Sequence, residues 1–572
     1  FTGVQLQAYS EGTDGKWLNA YQDYFPGELI DHYTLSSEIE NHNNGWKFSN
    51  IEASTKIDET TLFGKGEIII DESPLYLNLN INGRGNHPEW IDRLQDDINA
   101  KYIDDVRVDF NLVGKENAWS IENLESTILT EDHTFTASGN IAFAADKTTQ
   151  AELEISSAGR NLYSLARIVK YELPESKKFH IRSKLKYQDP TLSLSDTSII
   201  VDNTNVTGQG EIDFLSPPNI RAQLKAKSLS VEHIIALSQD EAIKPPVEKA
   251  STNNETLFSD KPLELDWLNK ADTDIDLQVD KITFRKAELD NLKTTLIASQ
   301  GVAKLTIDSL SYSGSELTAD LKTDIKAQTH EYYIHTENFN VGKLLKETDT
   351  TDLLTGNLDF NLNIDSTGET SRELAGNARG EFTAFITNGS LDNDRIDLLA
   401  SNLVKELLPG KKHEPRTEIE CFFTHFKGEE GLFDSKLTLL NTNNIVMTAS
   451  GDINLGKEKY DLRLIPKPKN ISLFTLDSDI LVTGPLMDPK FNISKGSVFK
   501  KVLEGASYIA LGPAALAIPF TTIGSSRYTE CFEEVARKTT EAVNAQQEAL
   551  QNKEVQKNDE EPAKPRVESL NP

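Results

Sequence analysis

Cysteine is almost absent, with two residues in 572. That excludes a disulfide-dense scaffold and a zinc domain built on cysteines. It leaves room for one disulfide in an oxidising compartment. Positive charge is also scarce. Lys and Arg number 59 against 90 Asp and Glu, a formal net charge of −31. Such a chain repels phosphate backbones, so nucleic acid is not expected as a partner. Long apolar runs are few and the mean hydropathy is −0.44, which argues against a polytopic membrane protein. Catalytic constellations are missing too. There is no Gly-x-Ser-x-Gly, His-Glu-x-x-His, Walker loop or Gly-x-Gly-x-x-Gly opening a helix. The ten His are scattered. His87 near Trp90, His413 and His425 have no partner at ligand spacing, so no metal is expected. Asp392 and Asp394 resemble half a calcium loop and lack the rest. Carboxylates this abundant fall on polar strand faces by chance and do not support a glycosidase. No catalytic residue and no cofactor are expected, and the protein is not read as an enzyme.

What is present is alternation with a period of two. Residues 75–81 read Leu-Tyr-Leu-Asn-Leu-Asn-Ile, and 106–112 read Val-Arg-Val-Asp-Phe-Asn-Leu. The same rhythm runs through 275–279, 358–364 and 460–464. Successive side chains of a strand point to opposite faces, so each of these strands has one apolar and one polar face. Such strands build antiparallel sheets, whereas a doubly wound parallel sheet needs continuous apolar runs. The strands recur as hairpins that start on a glycine: Gly66, Gly139, Gly210 and Gly451. Each glycine reads as a bulge or turn position needing positive φ. Repeated hairpins feeding one another imply one continuous curled sheet.

Helical spacing is rare. It is found at 89–101 (Trp90, Ile91, Leu94, Ile98), at 160–170, and at 394–408 (Ile396, Leu399, Leu403, Leu407). Short helices are also expected at 231–237 and 341–347. A polar stretch at 238–262 reads as a flexible linker between 1–237 and 263–500. Residues 501–540 read as an apolar and helical cap, and 541–572 as a disordered tail. Within the cap, 502–524 approaches the length of a bilayer span but carries Glu504, Pro513 and Pro519. It suits a buried hairpin as well as a membrane-contacting segment. Val4 to Ala8 reads as a strand already under way, so a fragment of a longer protein is expected.

A sheet with one apolar face must hide that face. A sandwich hides it against a second sheet, and a groove hides it against acyl chains, each methylene contributing roughly 0.8 kcal/mol. Some thirty strands at about 4.8 Å each would reach on the order of 140 Å. The residues expected to line such a trough are Leu77, Leu79, Val108, Phe110, Leu277, Phe360, Leu362 and Leu462. Cys421 and Cys531 are read either as two buried thiols or as one disulfide.

Three passages resemble the AsmA family of Gram-negative envelope proteins. They are the strand–turn–strand rhythm of 263–324, the Gly-rich run from Leu374 to Leu391, and the end from Ile419 through Gly451, Pro466 and Gly484 to the apolar 502–524. The second passage reads as a strand entering a short helix. The resemblance implies a mostly β protein whose long curled sheet forms an elongated groove. It also implies a periplasmic location, an N-terminal inner-membrane anchor that is missing here, and a role in outer-membrane lipid homeostasis. The expected function is non-enzymatic binding or conduction of phospholipid between inner and outer membrane. The alternative is a scaffold or assembly factor for outer-membrane proteins, working through open sheet edges. A secreted carbohydrate-active β-solenoid is a distant third. An oxidising envelope would pair Cys421 with Cys531. The pair would pin a helix at 528–540 onto the last β-unit and close the groove end.

Overall fold

The computed structural model describes residues 5–13, 15–16, 29–43, 45–70, 76–93, 99–115, 118–144, 149–161, 178–201, 204–232, 256–393, 415–443, 445–468 and 478–495, with Cys531 and Glu533. Among the described residues, twenty-six strands belong to one mostly antiparallel sheet. The first nine are β1 (Gln5–Gly12), β2 (His32–His42), β3 (Gly45–Ile57), β4 (Thr60–Ile70), β5 (Tyr76–Asn86), β6 (Asp105–Lys115), β7 (Ala118–Leu129), β8 (His133–Phe143) and β9 (Thr149–Gly159). Next come β10 (Phe179–Gln188), β11 (Thr191–Val201), β12 (Thr204–Asp213), β13 (Asn219–Ser230), β14 (Asp272–Phe284), β15 (Ala287–Ser299), β16 (Val302–Tyr312), β17 (Ser315–Asp324) and β18 (Thr329–Asn340). The last eight are β19 (Leu354–Thr367), β20 (Arg379–Asp392), β21 (Arg416–Glu429), β22 (Leu432–Thr442), β23 (Ile445–Asn454), β24 (Lys459–Pro468), β25 (Ser478–Pro485) and β26 (Lys490–Lys495). Among the described residues β1 pairs only with β2 and β26 only with β25, so the sheet is open and is not a barrel. β13 and β14 run parallel. Parallel neighbours need a long crossover, and residues 231–271 supply its length.

Two compact units contain these strands. The first holds Phe1–Lys249, Asp266–Phe284 and Glu288–Asp308. The second holds Ala250–Leu265, Arg285–Ala287 and Ser309–Pro572.

In the first unit a bulge recurs on every fourth strand. Register shifts fall between Phe48 and Ile51 on β3, Ile121 and Leu124 on β7, and Leu194 and Thr197 on β11. Asn50, Asn123 and Asp196 sit in these bulges with φ of 50°, 54° and 48°, and they follow one another at equal spacing along the chain. Asn and Asp tolerate this left-handed conformation best among residues with a Cβ. The extra residue lets two apolar side chains three positions apart face the same way. Directly opposite the far side of each bulge stands a glycine: Gly66, Gly139 or Gly208. A Cβ there would meet the next strand's carbonyl oxygen at 1.9, 2.0 or 2.2 Å respectively. Gly66 and Gly139 have φ of 154° and 140°, and Gly451 of the second unit 121°. Gly210 was expected to belong to this set. It pairs with Leu194 on the near side of the bulge, and Gly208 takes the pinched place.

Among the described residues of the second unit, two short helices are seen whole, α1 (Val341–Glu347) and α2 (Ser371–Asn377). The Asn340 side chain caps α1 by accepting from the Lys343 amide. At its other end Glu347 accepts from the hydroxyl of fully buried Tyr312 at 2.8 Å. Burial, and then that carboxylate, push the phenol up. A capping box of Thr370 and Glu373 opens α2. The helix precedes strand β20, so the run from Leu374 is a helix entering a strand, the reverse of the order expected from sequence.

Of the other expected helices, 89–101 is described only as 3-10 turns at Glu89–Arg93 and Ala100–Tyr102. Most of 160–170, 233–237 and all of 394–408 lie outside the described residues. So do 502–524 and 541–572. The stretch read as a linker is described from residue 256. That part is held on α2: Glu458 accepts from the amides of Leu257 and Phe258, and Arg372 bridges Asp260 and Glu458. Burial works against the Glu458 charge, but these donors hold its carboxyl below the usual range.

The pinched glycines set a test. Gly139→Ala places a methyl group against the Glu152 carbonyl at positive φ, and the expected loss is on the order of 2 kcal/mol or more. Urea unfolding should show a lower midpoint. An unchanged midpoint would mean that β9 yields and the close approach is not required.

Candidate functional site

Cross-strand register shows which side chains share a face, because directly paired residues point the same way. Leu77 and Leu79 pair with Gly114 and Leu112, and Ile81 and Gly83 pair with Phe110 and Val108. These expected residues therefore stand together on one face of β5 and β6. From Leu112 the row continues through Ile121, Ile141 and Ala151. It passes on through Tyr187, Leu192, Ile212 and Ile220 to Thr273 on β14. Leu277 is four residues along β14 and pairs with Leu224. Five of the eight expected residues thus lie on one apolar face of the first unit. Leu77 is buried, while Leu79, Val108, Phe110 and Leu277 are half-buried.

The remaining three share a face of the second unit. Phe360 and Leu362 pair with Ala384 and Phe382 on β20. Phe382 pairs with Phe426, and Gly428 pairs with Phe433, which pairs in turn with Ile453. Leu462 pairs with Gly451 two residues from Ile453. The Phe382 and Phe426 rings stack with centroids 5.1 Å apart. Ala378, Phe426 and Phe433 form a dry cluster against which Leu462 packs. Elsewhere the face is half-buried, as at Phe360 and Leu362. Burial pushes the phenols of Tyr332 and Tyr460, both on this face, upwards.

The opposite face of the first unit is polar and laced across strands. Lys65 meets Glu52 at 2.9 Å, Lys186 meets Glu152 at 3.0 Å, and Arg221 meets Glu211 at 3.1 Å. Hydrogen bonding to Lys65 holds the Glu52 carboxyl below its usual range. Exposed pairs such as these add little stability, about 0–1 kcal/mol each. Their consequence is the permanent wetting of that face. Among the described residues no group of His, Cys, Asp and Glu could hold a metal ion. His87 is exposed, His425 is buried beside Glu381 at 3.3 Å, and His413 lies outside the described residues.

Sequence reasoning missed one feature. On β20 to β23 the opposite face turns apolar. Phe385, Cys421, Phe423, Leu439 and Val446 form a buried cluster together with Cys531. The cysteines are joined in a disulfide with Cα atoms 6.3 Å apart. Cys421 has the parity of Phe423 along β21, not that of Phe422 and Phe426. The bridge therefore stands on the face opposite Phe382 and Phe426, and does not close the end of the face that bears them. The signal was legible: Ala384-Phe-Ile and Cys421-Phe-Phe are unbroken apolar runs, which mark a strand covered on both sides.

A family model described as the AsmA family matches residues 102–438. The AsmA family protein YhjG of Escherichia coli (strain K12) is 18% identical over 246 residues, 42% of this chain and 36% of the relative. The alignment thus spans little more than a third of that relative's length.

The bridge predicts a measurable dependence. Closing a loop of 110 residues stabilises by roughly 4–5 kcal/mol on the chain-entropy model. Cys531→Ser should lower the unfolding midpoint, and thiol-blocked wild-type protein should change mobility only on reduction. Two thiols that alkylate freely in the native protein would contradict the bridge.

Proposed function

The chain belongs to the AsmA family, and from that premise we propose that its apolar sheet faces bind phospholipid acyl chains and carry them between the inner and outer membranes. The observation that carries this reading is the row from Leu79 to Ile220, apolar across nine strands and half-buried in each except at Ala151, which is buried. A sheet built for stability alone would cover such a face. A lipid tail covers it instead, and ten buried methylenes contribute roughly 8 kcal/mol. Leu77, Leu79, Val108, Phe110, Leu277, Phe360, Leu362 and Leu462 are the proposed lining. The role is non-enzymatic and supports outer-membrane lipid homeostasis. The proposed location is the periplasm, with attachment to the inner membrane through an N-terminal segment. The disulfide is consistent with an oxidising compartment. Among the described residues no helix is long and apolar enough to cross a membrane. The alternative, a scaffold for outer-membrane proteins, requires a filled face, and the half exposure of Leu79, Phe110 and Leu277 favours lipid.

Native mass spectrometry of gently purified protein should find phospholipid bound. Protein that is clean of lipid in every preparation would sink the reading. Transport has its own test. Phe360→Glu with Leu362→Lys puts a charge pair on the face at a cost of a few kcal/mol, which a sheet of this size should survive. The folded double variant is expected to lose function in an envelope-permeability assay. Normal permeability would rule out continuous lipid flow along this face.

A further inference from the structure

In the first unit the apolar face is not equally wet along its strands. One rim of the sheet is formed where β3 begins and where β4 and β8 end. The other rim is formed where β3 ends and where β4, β8 and β10 begin. At the first rim the side chains of the apolar face stand in solvent: Trp46 is 43% exposed, Ile70 48% and Phe143 42%. Trp46 and Ile70 pair directly, and Phe143 pairs with Trp119. Midway, Leu79, Leu112 and Ile141 are half-buried. At the second rim Ile57 and Thr60 are 1% exposed and Phe179 3%. Leu77 is the exception, buried near the wet rim. A Cβ on Gly114 would meet both the Trp119 ring at 2.9 Å and Leu77 at 3.1 Å, so the indole and Leu77 close over that glycine together.

Where β3 ends and β4 begins, chain folded over the apolar face makes the second rim dry. After β5 the 3-10 turn at Glu89–Arg93 lays Trp90 against the cluster of Leu29, Ile30 and Ile57. The Trp90 indole donates to Thr60 Oγ1 at 2.8 Å. Glycines make room for this cover. A Cβ on Gly85 would stand 2.1 Å from Thr60 Oγ1, and one on Gly83 2.6 Å from Leu62.

We infer that the first unit holds a diacyl lipid in one orientation, with the headgroup at the Trp46–Phe143 rim and the tail ends at the Trp90 rim. This rests on the acyl-chain reading of the same face. Indole rings suit the boundary between apolar and wet surroundings, and Trp46 and Trp119 stand at that boundary. The closed rim offers apolar walls to terminal methyl groups. A lipid turned the other way would press a charged headgroup onto Ile57 and Phe179, where nothing solvates it. The dimension fits: the 11 residues of β4 rise roughly 35 Å, ample for a tail that fills half of a bilayer core, about 15 Å.

Tryptophan fluorescence reads the orientation, because the chain holds only five Trp and two of them mark the two rims. Two single-Trp proteins would be made, one keeping Trp46 and one keeping Trp90, with the other positions changed to Phe. Each would be loaded with phosphatidylcholine brominated either at the tail ends or beside the glycerol. Tail-end bromine should remove most of the Trp90 emission and little of the Trp46 emission. Bromine beside the glycerol should do the reverse. The opposite ordering, or equal quenching of both by both lipids, would overturn the orientation alone. No quenching by either lipid would remove the acyl-chain reading itself. If the single-Trp proteins fail to fold, wild-type protein loaded with a tail-end diazirine lipid gives the same answer. Crosslinks at Ile57, Leu62 or Trp90 support the orientation, and crosslinks at Trp46, Ile70 or Phe143 overturn it.

Discussion

An antiparallel sheet can keep its apolar side chains on one side only while the two-residue period survives from strand to strand. A single extra residue in one strand would turn the rest of that strand over. The first unit meets this constraint with a bulge at each insertion. Asn50, Asn123 and Asp196 take positive φ, and Phe48 and Ile51, or Ile121 and Leu124, then point the same way. The bulge crowds the neighbouring strand, and only a glycine fits between it and the carbonyl beyond. The continuity of that apolar face beyond each bulge, from Ile51 on β3 or Leu124 on β7, depends on this arrangement. So does the functional reading, because a face interrupted by flipped strands could not guide a lipid tail.

The two units treat their faces differently. In the first, one face is apolar and half exposed, while the other is wetted by cross-strand pairs such as Lys65 with Glu52. In the second, strands β20 to β23 are apolar on both sides. The Phe382, Phe426 and Phe433 rings fill one side, and Phe385, Phe423 and Leu439 fill the other beneath the Cys421–Cys531 bridge. A section with both faces buried is a rigid one, since truncating a buried Phe typically costs about 3–5 kcal/mol. The chain thus combines a first unit whose apolar face is half-buried with a short section of the second unit in which residues on both faces are buried.

Much of this was legible in the residues. Of the alternating runs, 76–81, 106–112, 275–279, 358–364 and 460–464 are observed as strands, because uninterrupted alternation leaves a strand no other way to separate its faces. The bulged strands β3, β7, β11 and β18 were harder to read. Their alternation breaks at Asn50, Asn123, Asp196 and Asn338, where the structure has register shifts. Helix α2 was missed although Thr370 and Glu373 spell its capping box, because Gly376 and Asn377 blur so short a helical pattern.

The sequence by itself determined the fold class, the side of the strand on which each of the eight apolar residues stands, and the absence of a recognisable catalytic motif. These follow from local geometry, since the pleat assigns faces two residues at a time whatever the neighbours are. Only the tertiary structure decided which residues become neighbours across strands, and which rim of the first unit is dry. Dryness at Ile57 comes from Leu29 and Ile30 ahead of β2 and Trp90 after β5, which close over it in contacts between residues far apart in sequence. The same holds for Cys421. Its partner could be guessed from two cysteines, but its face is fixed by the register of β21 against β20 and β22, a long-range pairing that no local pattern encodes.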